Sequence, residues 1–349
     1  MNVKSMVVMV ALVVAAPLSA QESPEKVEDR LKFLENLKIT GYLQAQYVKD
    51  ERSRDELTAG GTRNFDQFSV RRARLKFTYQ ATPTSRFVLQ PDISSSSVTL
   101  KDGYLELTEP WTKWKHTLTA GQFTWPFGFE LPYSSSNREV PERSRVVRAL
   151  FAGERDRGVM LSGRGSGFNY RVAIVNGTGT ASSSDLNQQK DVLGRVGYRF
   201  GKVDVGASAY RGDDLVATAT RPAGMNFDKE RLGVDVQWAT PLPGLAVRGE
   251  YITGKQAPAS GTTRTRSHDV DGWSVYAIQN VGSRQQFVLR MDEYDPDTDV
   301  DDNAIRTINP VYIFHWDAHS KVMASYEFIE SEANDPDDNV FTLRYQFAF

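Results

Sequence analysis

The stretch Asn339–Phe349, NVFTLRYQFAF, sorts its residues by parity. Phe341, Leu343, Tyr345, Phe347 and Phe349 share one face, and Thr342, Arg344, Gln346 and Ala348 share the other. Successive strand residues point to opposite sides of a sheet. A strand with one unbroken apolar face and one polar face suits a wall between lipid and water. An aromatic final residue is unusual for a water-soluble domain, whose ends ordinarily fray into solvent.

The other end of the chain agrees. Lys4 supplies a short positive region, Met6–Ala16 is apolar, and Pro17–Ala20 breaks the run before a small residue. That pattern predicts a secretory signal peptide over 1–20, too short to anchor in a membrane. Beyond Ala20 nothing approaches the ~18–20 consecutive apolar residues of a spanning helix. Charged residues make up 25% of the chain and aromatics 11%, averages that a barrel reaches because its two faces alternate. The chain has no cysteine, which excludes disulfides, thiolate metal sites and cysteine nucleophiles. A formal net charge of −2 carries no bias toward nucleic acid.

From Ile39 onward sixteen alternating segments can be placed: 39–48, 67–80, 84–93, 98–108, 115–124, 156–164, 167–176, 189–200, 202–211, 229–239, 243–253, 268–280, 284–292, 304–315, 318–328 and 339–349. Connectors after even-numbered segments are short. Those after odd-numbered ones are mostly long, including 49–66, 125–155, 177–188, 212–228 and 293–303, with 94–97 the exception. Short turns on one rim and long loops on the other are the asymmetry of an outer-membrane barrel, and an even count closes the sheet without edges. The expected fold is therefore all-β, a 16-stranded antiparallel transmembrane β-barrel over 39–349. It is preceded by a short periplasmic segment, 21–38, in which Val27, Leu31 and Leu34 allow either a short helix or a partly ordered tail.

The terminal strand resembles that of bacterial outer-membrane barrels, in which the last residue, here Phe349, is read by the barrel assembly machinery. Three further stretches resemble the phosphate-selective porin O and P family: Phe68–Phe77, FSVRRARLKF; Leu100–Leu107, LKDGYLEL; and Ala120–Gly163, followed by YRVAIVNG at 170–177. The resemblance implies a homotrimer and a channel narrowed by a third extracellular loop folded inward, here 125–155. It also implies a phosphate site made by a serine pair and an arginine, matched by Ser134, Ser135 and Arg143. The lysine expected ahead of the serines is absent, since Leu131-Pro132-Tyr133 stands there, and Glu139 and Glu142 dilute the local charge. Weaker phosphate binding than in the family's specialised members is the expectation.

The residues make a case of their own. With Ala73, Leu75, Phe77 and Tyr79 toward lipid, Arg72, Arg74 and Lys76 face the lumen, spaced roughly 6.8 Å apart along the strand. Such a row of cations with no interleaved acid reads as an anion track. Arg195, Arg199, Arg248, Arg290 and Arg344 also turn inward, as do Glu106, Asp235, Glu250 and Glu327, and these are expected to pair across the lumen. The connector 125–155 mixes Arg138, Arg143, Arg145, Arg148 and Arg155 with Trp125, Phe127, Phe129, Tyr133 and Phe151. So aromatic a loop is expected to be buried in part against the inner wall, with its arginines near the constriction.

Other signals carry less. Asp292–Asp302 holds seven carboxylates but lacks the glycine and final glutamate of a calcium loop, and reads as a solvated loop near lipopolysaccharide. His116, His268, His315 and His319 are scattered, Gly163–Gly167 reads as a turn, and no catalytic triad can be assembled. The function expected is passive diffusion of small inorganic anions, phosphate or a related oxyanion foremost, across a Gram-negative outer membrane. No enzyme activity, cofactor, metal or nucleic-acid partner is expected. A general diffusion porin for small hydrophilic solutes and a non-conducting surface or adhesin barrel are the alternatives.

Overall fold

The computed structural model describes residues 32–50, 66–93, 97–180, 184–185, 187–332 and 339–349. The chain divides into two units, 1–38 and 39–349. In the first, residues 32–36 form a helical turn; the expected signal peptide, and Val27 and Leu31 of the expected helix, lie outside the described residues.

The strands are β1 Leu37–Asp50, β2 Asp66–Thr82, β3 Ser85–Ile93, β4 Val98–Thr108, β5 Thr117–Thr124, β6 Arg155–Gly165, β7 Phe168–Val175 and β8 Asp191–Phe200. They continue as β9 Val203–Val216, β10 Met225–Ala239, β11 Leu245–Gln256, β12 His268–Val281, β13 Gln285–Asp295, β14 Ile305–His315, β15 Ser320–Ser331 and β16 Val340–Ala348. They form one closed antiparallel barrel of sequence neighbours, sealed by β1 against β16 from Tyr42↔Ala348 to Asp50↔Val340. Gly41 and Phe349 extend the seam with two reciprocal backbone hydrogen bonds of 3.0 Å. Closure matters because hydrocarbon offers backbone groups no other partner.

Alternation fixes the facing of each strand. Leu343, Tyr345 and Phe347 are 42%, 45% and 41% exposed on the outer surface, whereas Arg344 between them is 3% exposed. β2 breaks the rule near its start. Phe68 and Val70 are exposed, yet Arg72 and Arg74 are buried, and Arg71 and Arg72 both reach Glu142. Two adjacent residues therefore share the lumenal side, and the phase changes at Arg71–Arg72. Another irregularity lies in β4, where Gln90 pairs with Asp102 but Pro91 with Leu100, leaving Lys101 as the extra residue of a bulge. The short connector 94–97 is genuine, since the flanking Ile93 and Val98 pair with each other. In the β6–β7 turn, Ser166 and Gly167 have φ of 50° and 85°, the twist that a two-residue hairpin needs.

The segment from Trp125 to Glu154 docks inside the barrel, and its own short helix, α1 Arg145–Leu150, lies against β12 and β13. Its apolar side chains Trp125, Phe127, Leu131, Val146, Val147, Leu150 and Phe151 form one buried cluster with inward-facing Val175, Leu193, Tyr210, Ile252 and Val270. Phe129 and Val140 join a second, with Tyr276, Ile278, Val288, Val311, Ile313 and Met323. On these strands both faces are apolar, one for lipid and one for the loop. Each fully buried aromatic stabilises the docked state by about 1.5–3 kcal/mol.

Polar pins fix the register of the loop. The buried Glu130 carboxylate accepts from Ser144 N at 2.7 Å, Ser144 Oγ at 2.5 Å and Tyr276 Oη at 2.6 Å. Asp292, the last residue of the expected segment 284–292 and the first of the acidic run, is an inward residue of β13, which continues to Asp295. It accepts from Arg145 N at 2.9 Å and pairs with Arg290 at 2.7 Å. On the opposite side Gln44 and Gln346 donate to the carbonyls of Ser135 and Ser136, and Arg344 to that of Pro141. The loop thus spans the lumen from β9–β13 to β1, β15 and β16.

Two measurements test this arrangement. Water-soluble thiol reagents are expected to label Lys76→Cys, on the lumenal face, and to spare Leu75→Cys, whose thiol stays protonated in lipid; the reverse pattern means the register is wrong by one. The native chain has no cysteine to interfere. Gly128 has φ +57°, and a Cβ there would lie 1.7 Å from Glu250 Oε1. Alanine at this position costs about 1–2 kcal/mol for the backbone alone. Gly128→Ala should loosen the loop and speed trypsin cleavage at Arg138–Arg148, and an unchanged cleavage rate would show that the seat does not depend on this contact.

Candidate functional site

The docked loop leaves an opening along β1–β7. A cavity of about 520 Å³ lies between loop residues Leu131–Ser136 and a wall that includes Tyr42, Arg74, Lys76, Tyr104, Thr119, Arg155 and Arg171. A second, of about 590 Å³, lies toward the short-turn rim, bounded by Pro126, Phe129, Pro132 and Tyr133 of the loop and by Arg164, Arg171, Arg195 and Arg199 of β6–β8. Pro132, Tyr133 and Arg171 border both, so the two adjoin.

Of the three cations expected to form a ladder, two have acidic partners from other elements. Arg72 pairs with Glu142 of the loop and Arg74 with Asp92 of β3, each at 2.8 Å. Arg74 also donates to Ser135 Oγ at 3.3 Å. Lys76 lines the cavity and has no carboxylate partner among the described residues. Reading β2 alone shows no interleaved acid, because both acids arrive from elsewhere in the fold.

Ser134 is exposed to the cavity, and Ser135 is buried beside it with its hydroxyl 2.5 Å from Tyr42 Oη. Arg143 also borders the cavity, but its guanidinium donates to the carbonyls of Glu130 at 3.1 Å and Leu131 at 2.7 Å, and pairs with Glu154. It shapes the loop at the point where the serines are presented. Arg138 is enclosed, and its Nε and Nη1 have no hydrogen-bond partner among the described residues. Burial, with Arg143 and Arg72 nearby, lowers its pKa to about 9. Arg145 and Arg148 belong to α1 and do not line the cavity; Arg145 is half-buried and Arg148 exposed.

The loop acids are committed to the wall. Glu139 pairs with Arg248 at 3.0 Å. Glu142 sits among Arg71, Arg72 and Arg344; burial alone would raise its pKa, but these three cations hold it well below the ordinary range. Glu154 is likewise opposed by burial and brought to about 2 by Arg143 and Arg155. On the wall, Asp102 pairs with Arg155 at 2.7 Å and Glu106 with Arg86. The charge that two glutamates were expected to dilute is thus balanced in pairs.

Sequence reasoning missed two cations and two aromatics. Strict alternation places Lys101 with Leu105 on the lipid side, and only the bulge turns it inward beside Asp102. Arg171 was legible: Val172 and Ile174 are exposed outward, so Arg171 faces in. Tyr42 and Tyr104 add ring edges and hydroxyls to the cavity wall.

Comparison with known proteins places this geometry. No curated protein matches the chain. The anion-selective porin from Comamonas acidovorans superposes with a TM-score of 0.63 and 13% identity, over 90% of this chain and 99% of that one. OmpT of Vibrio cholerae, in trimer form, gives 0.63 and 12% over 90% and 99%. The outer membrane channel DcaP of Acinetobacter baumannii gives 0.60 and 13% over 90% and 97%. At these identities the likeness is one of fold. The family described as phosphate-selective porin O and P matches residues 38–215, more than half of the chain and all of the docked loop. The chain belongs to the phosphate-selective porin O and P family and is an outer-membrane porin.

Proposed function

We propose that the channel passes small anions in preference to cations, with phosphate or a related oxyanion as the substrate class, and acts as a passive pore and not as an enzyme. The carrying observation is the balance of charge along the opening. Asp92, Asp102, Glu106 and Glu154 are each held by an arginine, while Lys76, Lys101 and Arg171 have no carboxylate within ion-pair distance among the described residues. Low-dielectric walls focus such an excess onto a permeating ion. The Ser134 and Ser135 hydroxyls, Arg74 and Lys76 border one cavity and supply the donors that a tetrahedral oxyanion needs. Lys76 and Lys101 give from the wall the lysine charge absent from the loop. Arg138, Arg143, Arg145 and Arg148 add positive potential from within the loop.

The same reading includes a homotrimer, by analogy with the trimer form of OmpT. It also includes export through a signal peptide, contact with lipopolysaccharide, and recognition of Phe349 by the assembly machinery.

Reversal potentials in planar bilayers under a potassium chloride gradient test the proposal. The wild type should favour chloride. A unit charge at 4 Å is worth about 1 kcal/mol in water and about 4 kcal/mol at an effective dielectric of 20. Lys76→Gln should therefore lower the anion-to-cation ratio by at least about fivefold. Arg143→Ala should lower it too while the pore stays open, and phosphate should reduce the chloride current. Weak selectivity in the wild type would favour a general diffusion porin, and absence of conductance a surface protein.

A further inference from the structure

A like-charge pair faces the short-turn side of the docked loop. Arg171 of β7 and Arg195 of β8 stand directly opposite one another in the strand register, on the inward face. Residues so placed have Cβ atoms about 4.5–5.5 Å apart, and like charges there oppose the pairing. Arg195 has compensation of its own, from Asp235 at 2.6 Å and Asp204 at 3.3 Å. Arg171 has none: among the described residues no acceptor contacts its guanidinium, and the charged arginine acting on it is Arg195. Arg164 of β6, exposed on the same face, is also without a side-chain partner among the described residues.

Both free guanidinium groups line the second cavity, where the one lining carboxylate, Asp204, is held by Arg195 and Arg199, and the loop supplies the apolar side with Pro126, Phe129, Pro132 and Tyr133. We propose that this cavity is a binding site for organic anions with a compact apolar body, an aromatic carboxylate being the type. The proposal rests on the anion reading above and adds a ligand class to it. Arg171 and Arg164 take the carboxylate, since a guanidinium offers it two parallel N–H donors. The ring lies against Pro132 and Tyr133, where leaving water is favourable. An inorganic oxyanion can use only the cationic half of such a site. The volume, about 590 Å³, falls within the usual range of small-ligand pockets, about 300–1,000 Å³. Arg171, Pro132 and Tyr133 also border the first cavity, so an anion held there is expected to obstruct the opening and to register as block of current.

The test compares benzoate, acetate and inorganic phosphate as blockers of chloride current through the full-length porin in planar bilayers, each added to one side and then the other. Benzoate and acetate carry the same charge and differ in apolar body. Half-block by benzoate should come at a concentration several-fold below that of acetate or phosphate. Arg171→Gln should raise the benzoate value about tenfold, the loss expected for one charged hydrogen-bonded contact. Arg171→Lys should restore it only in part, because an ammonium lacks the planar fork. An anion-selective wild type blocked equally by benzoate and acetate overturns the site and leaves the anion reading standing, and needs no variant to fold. Unchanged block in a folded, heat-modifiable Arg171→Gln overturns it as well. A wild type without anion preference sinks the anion reading and this proposal together.

Discussion

A polypeptide wall in hydrocarbon must satisfy its backbone donors and acceptors internally, and the rest of this structure follows from that demand. The sheet can meet it only by closing, and the β1–β16 seam, extended by the Gly41–Phe349 hydrogen bonds, is where it does so. Closure brings two further consequences. Side chains alternate between lipid and lumen, and the lumen of a sixteen-stranded barrel is too wide for wall residues to fill. Something else has to occupy it.

The loop from Trp125 to Glu154 fills that space by treating half of the wall as a hydrophobic core. Along β7–β15 the inner face carries residues such as Leu193, Ile252, Val288 and Ile313, which would be out of place in an open aqueous pore. The other half of the wall remains polar and bounds the opening. The channel is therefore a gap between a docked loop and one side of the barrel, shaped by where the loop finds apolar partners.

Electrostatics inside follow from the same docking. Carboxylates and guanidinium groups removed from water are costly unless paired, and losing one partner costs more than the pair contributes. Glu142 is held by Arg71, Arg72 and Arg344, and Glu154 by Arg143 and Arg155. Such pairs hold the loop in one register, a structural role, and largely cancel as sources of field. What remains outside these pairs is a small set of cations, and the proposed anion preference rests on them despite the many arginines in the lumen.

Much of this was legible in the sequence, and the divisions are physical. The sixteen strands, their facing, the two rims and the docking of an aromatic loop follow from period-two alternation, connector length and the cost of exposing rings, all of them local properties. The facing of Arg171 belongs in that class. Tertiary structure decided the rest. The phase change at Arg71–Arg72 and the bulge at Lys101 turn side chains that strict alternation would send elsewhere. The neutralisation of Arg72 by Glu142 joins residues distant in sequence, and that of Arg74 by Asp92 depends on a hairpin register shifted by the irregularity at Gln80–Thr82. Alternation determines which residues can reach the lumen. Only the closed wall and the docked loop together decide which of their charges remain unpaired there, because pairing depends on distances that exist after closure.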